Sequence, residues 1–206
     1  VYDVQKKHKR IDKLVGHRGP VTCVASGAKW IVTGAEDRRV MVWDWETCQS
    51  VHTFEAHKNV VTGVVCLDAR TAVSSSWDGT LQVYDLKDRI EKEPLLGHKG
   101  KVQALSRVAH WADHPLRVAS VADDGGVRLW DVSSSSSIAL FSAPESQRSV
   151  SVLHKNAELL TATDMGFSVW SPDLIRTSAL GCKDVATGDE DEEPPKTDVL
   201  AVSCSA

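Results

Sequence analysis

No apolar run in this 206-residue sequence approaches the ~20 residues of a membrane-spanning helix. The charged opening stretch Gln5-Lys6-Lys7-His8-Lys9-Arg10 is not followed by an apolar segment, so a secretory leader is not expected. The five cysteines, Cys23, Cys48, Cys66, Cys182 and Cys204, are odd in number and scattered, with no Cys-x-x-Cys pair and no short His-x-Cys combination. That spacing offers no zinc cluster and suits reduced structural thiols better than a disulfide framework. A Gly-rich phosphate loop, an unrepeated nucleophile–base pair and a convincing 3.6-residue apolar stripe are all missing. Charge of one sign is lacking too: 24 Lys and Arg against 28 Asp and Glu leave a net charge of −4. Such a balance gives no general attraction to nucleic acid or anionic lipid, so any partner must be argued from local features.

What the chain does contain is a repeat. Tyr2-Asp3, Trp43-Asp44, Tyr84-Asp85, Trp130-Asp131 and Trp170-Ser171 space an aromatic residue at 41, 41, 46 and 40 positions. Six residues before each aromatic from the second onward stands an Asp: Asp37, Asp78, Asp124 and Asp164. A His precedes that Asp in three units, at His17, His57 and His98, within the turn-like stretches VGHRGP, EAHKNV and LGHKGK. Between these markers VTCVAS, KWIVTGAED, RVMVWD and QSVHTFEAH read as four short strands, and VTGVVCL, TAVSSSWDG, TLQVYD and EKEPLLGH repeat the reading. A period near 40 predicts an all-β array of four-stranded antiparallel units. One such sheet cannot bury both faces, so successive sheets must stack. Six residues after each His the side chain is small (Cys23, Gly63, Ala104), as a crowded innermost strand requires, and Cys23 is read as a core residue.

These markers together resemble the WD40-repeat family of β-propellers, over nearly the whole chain to about Leu180. The resemblance implies a structural network in each unit: Asp to His, His to a Thr or Ser hydroxyl, and that hydroxyl to the closing aromatic. Its members would be His17, Thr33, Asp37 and Trp43; His57, Ser74, Asp78 and Tyr84; and His98, Ser120, Asp124 and Trp130. Read in isolation, a His, a hydroxyl and an Asp suggest nucleophilic catalysis, but three copies in one repeat array fit a structural role, and no enzyme, cofactor or metal is expected. Tyr84 is expected to fail where an indole N–H would donate. The fourth unit has no His between Ala143 and Ser149, and its hydroxyl, Thr161, lies three rather than four residues before the Asp. Apolar packing of Val150, Val152, Leu159, Leu160, Val169 and Trp170 is expected to hold it instead.

The family resemblance implies recognition of a protein or peptide on a face or rim, with an RNA-containing assembly contacted through Lys6, Lys7, Lys9 and Arg10 as the alternative. The residues before the turn Asp, Glu36, Trp77, Asp123 and Thr163, are placed near one face. Trp77 can anchor a partner or fold over a neighbouring blade. Arg38, Arg39, Lys58, Lys99 and Lys101 can give that face positive charge for an acidic or phosphorylated peptide, or serve as ordinary solvated charge. The third unit inserts residues in SRVAHWADHPLRVAS, with Trp111 as a second anchor and His110, Asp113 and His114 too loosely set for a closed metal site. Ser133–Ser137 reads as a polar connection.

The expected organisation is 1–15, the end of a preceding blade with its outer strand in Asp12-Lys13-Leu14-Val15-Gly16; repeats at 16–44, 45–85 and 86–131, the last with the inserted loop; a degenerate repeat at 132–182; an acidic linker at 183–198; and the inner strand of a further blade at 199–206. Propellers of this family close with about seven blades. The expectation is therefore a partial propeller, completed by missing blades from the parent chain or a partner, with cytoplasmic residence as the default.

Overall fold

The computed structural model describes residues 2–3, 9–10, 13–108, 116–142, 146–153, 158–163, 166–170 and 176–181. Four sheets follow one another along the chain, each of four antiparallel strands in sequence order. The first contains β3 (Val21–Ser26), β4 (Trp30–Ala35), β5 (Val40–Asp44) and β6 (Ser50–Phe54). The second has β7 (Val61–Cys66), β8 (Thr71–Ser76), β9 (Leu81–Asp85) and β10 (Ile90–Glu91). The third has β11 (Val102–Arg107), β12 (Arg117–Ala122), β13 (Gly126–Asp131) and β14 (Ser136–Ser142), and the fourth β15 (Ser149–Leu153), β16 (Glu158–Ala162), β17 (Gly166–Trp170) and β18 (Arg176–Gly181). A hairpin of β1 (Tyr2–Asp3) and β2 (Lys9–Arg10) precedes them. No helix among the described residues is long and apolar enough to cross a membrane.

Three expectations about strands need correcting. The partner of Tyr2–Asp3 is Lys9–Arg10, and residues 13–17 are not strand. In the second blade the outer strand is only Ile90–Glu91, after which Leu95 forms a lone bridge to Leu81, because Pro94 has no N–H to give to a ladder. Ser136 and Ser137 belong to β14, so the serine-rich connection is shorter than its composition suggests.

The inner strands β3, β7, β11 and β15 run side by side in that order, and the blades stack through shared apolar layers. Val32, Val40, Val42 and Phe54 of the first blade meet Val61, Val64, Ala72, Tyr84 and Leu86 of the second. Val73, Leu81 and Val83 meet Val102, Val118 and Trp130 across the next junction, and Val121, Val127 and Leu129 meet Val150, Val152, Leu159 and Trp170 across the last. The fourth blade thus rests on the apolar residues expected, except that Leu160 and Val169 are only half-buried. At the crowded junction of the first two blades Gly34 of β4 is required: a Cβ there would come within 2.4 Å of Val61 Cγ1.

In blades one to three the inner strand bulges at the same place, between Val21 and Cys23, Val61 and Gly63, and Val102 and Ala104. The extra residue reaches the next blade: Thr22 Oγ1 lies 2.5 Å from Val61 O, and Thr62 Oγ1 donates to Val102 O at 2.9 Å. The fourth blade pairs β15 with β16 without a bulge.

Among the described residues one side of the stack is uncovered. Val21, Val24 and Trp45 of the first blade are 55%, 66% and 54% exposed. At the corresponding positions of the second blade Val61, Val64 and Leu86 are 0%, 7% and 1% exposed, covered by the first blade. Three apolar residues that repeat symmetry would bury therefore face solvent on the first blade.

Candidate functional site

With the four strands of a blade lettered a to d in chain order, the b–c turn of each of the first three blades is built on a carboxylate. Arg38, Gly79 and Gly125 close the turns with N–H bonds to Ala35 O, Ser76 O and Ala122 O, and all three adopt positive φ (68°, 84° and 72°). The carboxylates of Asp37, Asp78 and Asp124 accept from the backbone N–H two residues on, and from the N–H following the His: Arg18 at 2.7 Å, Lys58 at 2.9 Å and Lys99 at 2.6 Å. The turn and the loop entering the inner strand are thereby joined at one end of the first three blades. The Asp after each closing aromatic does a similar task at the opposite end, where Asp44, Asp85 and Asp131 accept from backbone N–H groups of the c–d turns.

Behind the turns, the structure brings His17, Thr33, Asp37 and Trp43 together: His17 Nδ1 lies 3.1 Å from Asp37, His17 Nε2 2.7 Å from Thr33 Oγ1, and Trp43 Nε1 donates to Thr33 Oγ1 at 2.9 Å. His98 likewise joins Asp124 (3.4 Å) and Ser120 (2.8 Å), and Ser120 Oγ accepts from Trp130 Nε1 at 2.8 Å. An indole can only donate, so the hydroxyl hydrogen is left for His Nε2, and Nδ1 carries the proton offered to Asp. Every polar atom is then satisfied with the imidazole neutral.

The second blade corrects the expectation for Tyr84. His57 meets Asp78 at 2.9 Å and Ser74 at 2.7 Å, and Ser74 Oγ lies 2.9 Å from the buried Tyr84 hydroxyl. A phenol proton directed at Ser74 substitutes for the indole N–H, since Tyr84 needs only one donor at that point. In the fourth blade Trp170 Nε1 still donates to Thr161 Oγ1 at 2.8 Å. Thr161 pairs with Ser168 as Thr33 pairs with Met41, so the missing residue is taken out of the turn and the strand register is kept. Gln147 is fully buried on the approach to β15. Asp164 lies outside the described residues.

Protonation acts on these networks in one direction. Burial pushes the Asp37, Asp78 and Asp124 carboxyls up, but their N–H donors and the neighbouring His outweigh it and hold all three below the usual carboxylate range. Burial pushes His98 down, and Asp124 only partly offsets it. The folded chain therefore binds fewer protons than the unfolded one at each group, and the corresponding stability is lost on acidification. We expect the thermal midpoint, followed by circular dichroism, to decline as pH falls below 6.5 through the His98 contribution and to drop steeply below 3.8 through the carboxylates. A midpoint that rises between pH 6.5 and pH 3.8 would contradict the neutral-imidazole network.

The same end of the blades presents the residues considered for a partner. Trp77, on the second b–c turn, is 37% exposed, and Lys101 of the third blade lies over its ring with Nζ 4.8 Å from the centroid. Glu36 is exposed on the first turn. Arg39 is not free charge: it pairs with Glu55 at 2.6 Å. Asp123 is tied into the junction with the fourth blade, accepting from Gln103 Nε2 at 2.7 Å and Ser146 Oγ at 3.1 Å. Arg18, Glu36 and Arg38 line a cleft of about 500 Å³ together with Asp37, Arg39 and Glu55 of the first blade and its following connection and His57 of the second blade. Among the described residues no group of three or more His, Cys, Asp or Glu is placed to hold a metal ion. Burial raises the thiols of Cys23 and Cys66, the latter to about 11, which keeps both protonated at neutral pH. Trp111, His110, Asp113, His114, Lys6, Lys7 and residues 182–206 lie outside the described residues.

Sequence reasoning passed over Trp45. The signal was available: it occupies the position of Leu86 and Val132, which are buried against a preceding blade. An exposed Trp at a position that is otherwise core marks the open side of the stack.

Comparison with known proteins places these features. The sequence model described as "WD domain, G-beta repeat" matches residues 8–44, 48–85 and 91–131. The chain is 28% identical over 151 residues to the U3 snoRNP-associated protein-like EMB2271 of Arabidopsis thaliana, covering 72% of this chain and 30% of that protein. It is 27% identical over 179 residues to telomerase protein component 1 of Mus musculus (79% and 7%). A guanine nucleotide-binding protein subunit beta of Oryza sativa subsp. indica is 26% identical over 138 residues (62% and 36%). The chain thus spans between 7% and 36% of the length of these relatives. A solved structure of U3-55K superposes with a TM-score of 0.71 at 22% identity, covering 81% of this chain and 51% of that one.

Proposed function

The chain belongs to the WD40-repeat family, and on that footing we propose that it is a noncatalytic scaffold that holds a protein or peptide on the blade end carrying Trp77. Members of the family act as protein-interaction scaffolds. The observation that carries the reading is Trp77 itself. The other turns place Glu36, Asp123 and Thr163 there, so the turn has no need of an indole. Yet a large ring stands 37% exposed at this position with a cation over it. An aromatic held in one orientation loses little entropy on binding and supplies a large contact area.

The test is affinity capture with the intact protein and a Trp77→Ala variant, followed by affinity measurement on the recovered partner. Loss of about tenfold is expected, about 1.4 kcal/mol. A partner that binds Trp77→Ala as tightly as the parent chain would overturn the assignment. The alternative, a peripheral place in an RNA-containing assembly, draws support from the likeness to a U3 snoRNP-associated protein, but the chain is about as similar to a guanine nucleotide-binding protein subunit. Strong salt dependence, abolished by neutralising Lys6, Lys7, Lys9 and Arg10, is the outcome that would favour it.

The scaffold reading includes an architectural part. Val21, Val24 and Trp45 are covered by a further blade supplied by the same protein, in the way the first blade covers Val61, Val64 and Leu86. Gly34 of β4, against which Val61 packs, shows what the covering strand must offer at its closest point: a residue without a Cβ, or a backbone set slightly further away.

A further inference from the structure

Building on the scaffold reading, we propose that the cleft between the first two blades is an oxyanion site, in which Arg18 and Arg38 clamp a carboxylate or phosphoryl group of an acidic peptide. Four observations on the first b–c turn converge on it. The second and third blades fill the positive-φ position of this turn with glycine, Gly79 and Gly125, whereas the first uses Arg38 at φ 68°. A side chain there carries a backbone penalty that glycine avoids; the chain also accepts it at Cys48, Arg89 and Ser135, but only at Arg38 do the next two blades carry glycine at the same turn position. The second observation is what surrounds it. The cleft of about 500 Å³ is lined by cations and carboxylates, most of them already engaged. Asp37 is held by His17 and two backbone N–H groups, and Arg39 by Glu55.

Third, among the described residues Arg18 and Arg38 have no carboxylate partner, although Glu36 is adjacent on the same turn. The three guanidinium groups and three carboxylates of the lining balance in charge, but with Arg39 held by Glu55 and Asp37 capped by backbone N–H groups, the forks of Arg18 and Arg38 face only one uncommitted carboxylate, Glu36. Fourth, Arg18 follows His17 directly and its backbone N–H is fixed to Asp37 at 2.7 Å, so its stem is anchored at the rim of the cleft. Guanidinium groups present paired donors that match the oxygens of carboxylate and phosphate, which a lysine ammonium does not. The cleft opens at the blade end where Trp77 stands on the neighbouring turn, so one extended segment crossing from the first blade to the second can give its anionic side chain to the cleft and an apolar one to Trp77.

The experiment titrates the intact ¹⁵N-labelled protein with three short peptides identical except at one residue, Glu, phosphoserine or Gln, and follows the arginine Nε–Hε resonances. Shifts of Arg18 and Arg38 with the Glu or phosphoserine peptide and none with Gln are expected. The stronger of the two anionic peptides identifies the source of the oxyanion. Arg38→Gly should weaken binding about tenfold while the thermal midpoint does not fall, because glycine is what this turn carries in the next two blades. Glu36→Gln, which removes the competing carboxylate, should tighten it. Silent arginine resonances, unchanged affinity in Arg38→Gly, or a lowered midpoint in that variant would each overturn the proposal; the last would make Arg38 a structural residue. If Trp77→Ala releases the captured partner while all three peptides leave Arg18 and Arg38 unmoved, the scaffold reading stands and the oxyanion site alone falls.

Discussion

Replacing Trp130 with alanine should lower the unfolding free energy by about 3–5 kcal/mol, the range for truncating a buried aromatic side chain. Trp130 is 1% exposed and packs across the junction of the second and third blades, with Val102 and Val118 on one side and Val73, Leu81 and Val83 on the other. Alanine empties that junction. It also removes the indole N–H that Ser120 Oγ accepts at 2.8 Å, leaving a fully buried hydroxyl with His98 as its remaining partner. Trp130→Phe separates the two effects: most of the bulk survives and the donor is lost, so a cost of about 1–3 kcal/mol is expected from the orphaned polar group together with the volume difference. Urea unfolding of the three proteins measures both. A loss below 1 kcal/mol for the alanine variant would mean that the junction collapses around the gap or that the third blade is already loose.

Placing Asp at Val24 gives the second large effect, and its sign of success depends on what surrounds the first blade. If a further blade covers β3 as the first covers β7, Val24→Asp puts an unpaired carboxylate into an apolar layer and should cost about 3 kcal/mol or more in the protein that carries that blade. In the 206-residue chain alone Val24 is 66% exposed, and the same change should fall within about 0.5 kcal/mol of zero. Val64→Asp is the internal control: Val64 is 7% exposed against the first blade and its substitution should be costly in both settings. Equal tolerance of Val24→Asp in both proteins would show that the open side is a true surface. The hydrophobic term behind this is sizeable, since fully burying a valine or larger side chain contributes about 1.5–3 kcal/mol.

The legible part of the site is that which repeats locally. Turn and strand lengths between His17 and Thr33, or Thr33 and Trp43, are set by short-range hydrogen bonding and alternation, so the members of each network could be named from spacing. Thr161 is one residue out of step with its turn but in step with its strand, because the ladder between β16 and β17 holds register more firmly than the turn holds length. Tyr84 departs from the expectation for a related reason: residue type specifies the donors available, but whether a phenol reaches Ser74 depends on how β8 and β9 are placed, which a one-dimensional pattern does not contain.

Charge and exposure were less legible still. Arg38 and Arg39 are adjacent and chemically alike, yet one is tied to Glu55 of the next connection and the other stands at a positive φ over a cleft. Glu55 lies sixteen positions from Arg39, and only the antiparallel return of β6 brings them together. Trp45 reads in sequence as one more aromatic after a Trp-Asp pair, and its exposure goes with the lack, among the described residues, of a covering layer on that side of β3–β6.

By itself the sequence determined the repeat, the all-β class, the four-stranded unit and the carboxylate-centred turns, because each rests on interactions within about forty residues that alternation and turn chemistry encode directly. The tertiary structure alone decided which arginines are free, which tryptophan is core and which is surface, and which side of the first blade is open. Those depend on what lies across a blade junction, where the contacting residues are set by stacking of whole sheets, and identical repeat positions become buried or exposed according to whether a neighbour is present.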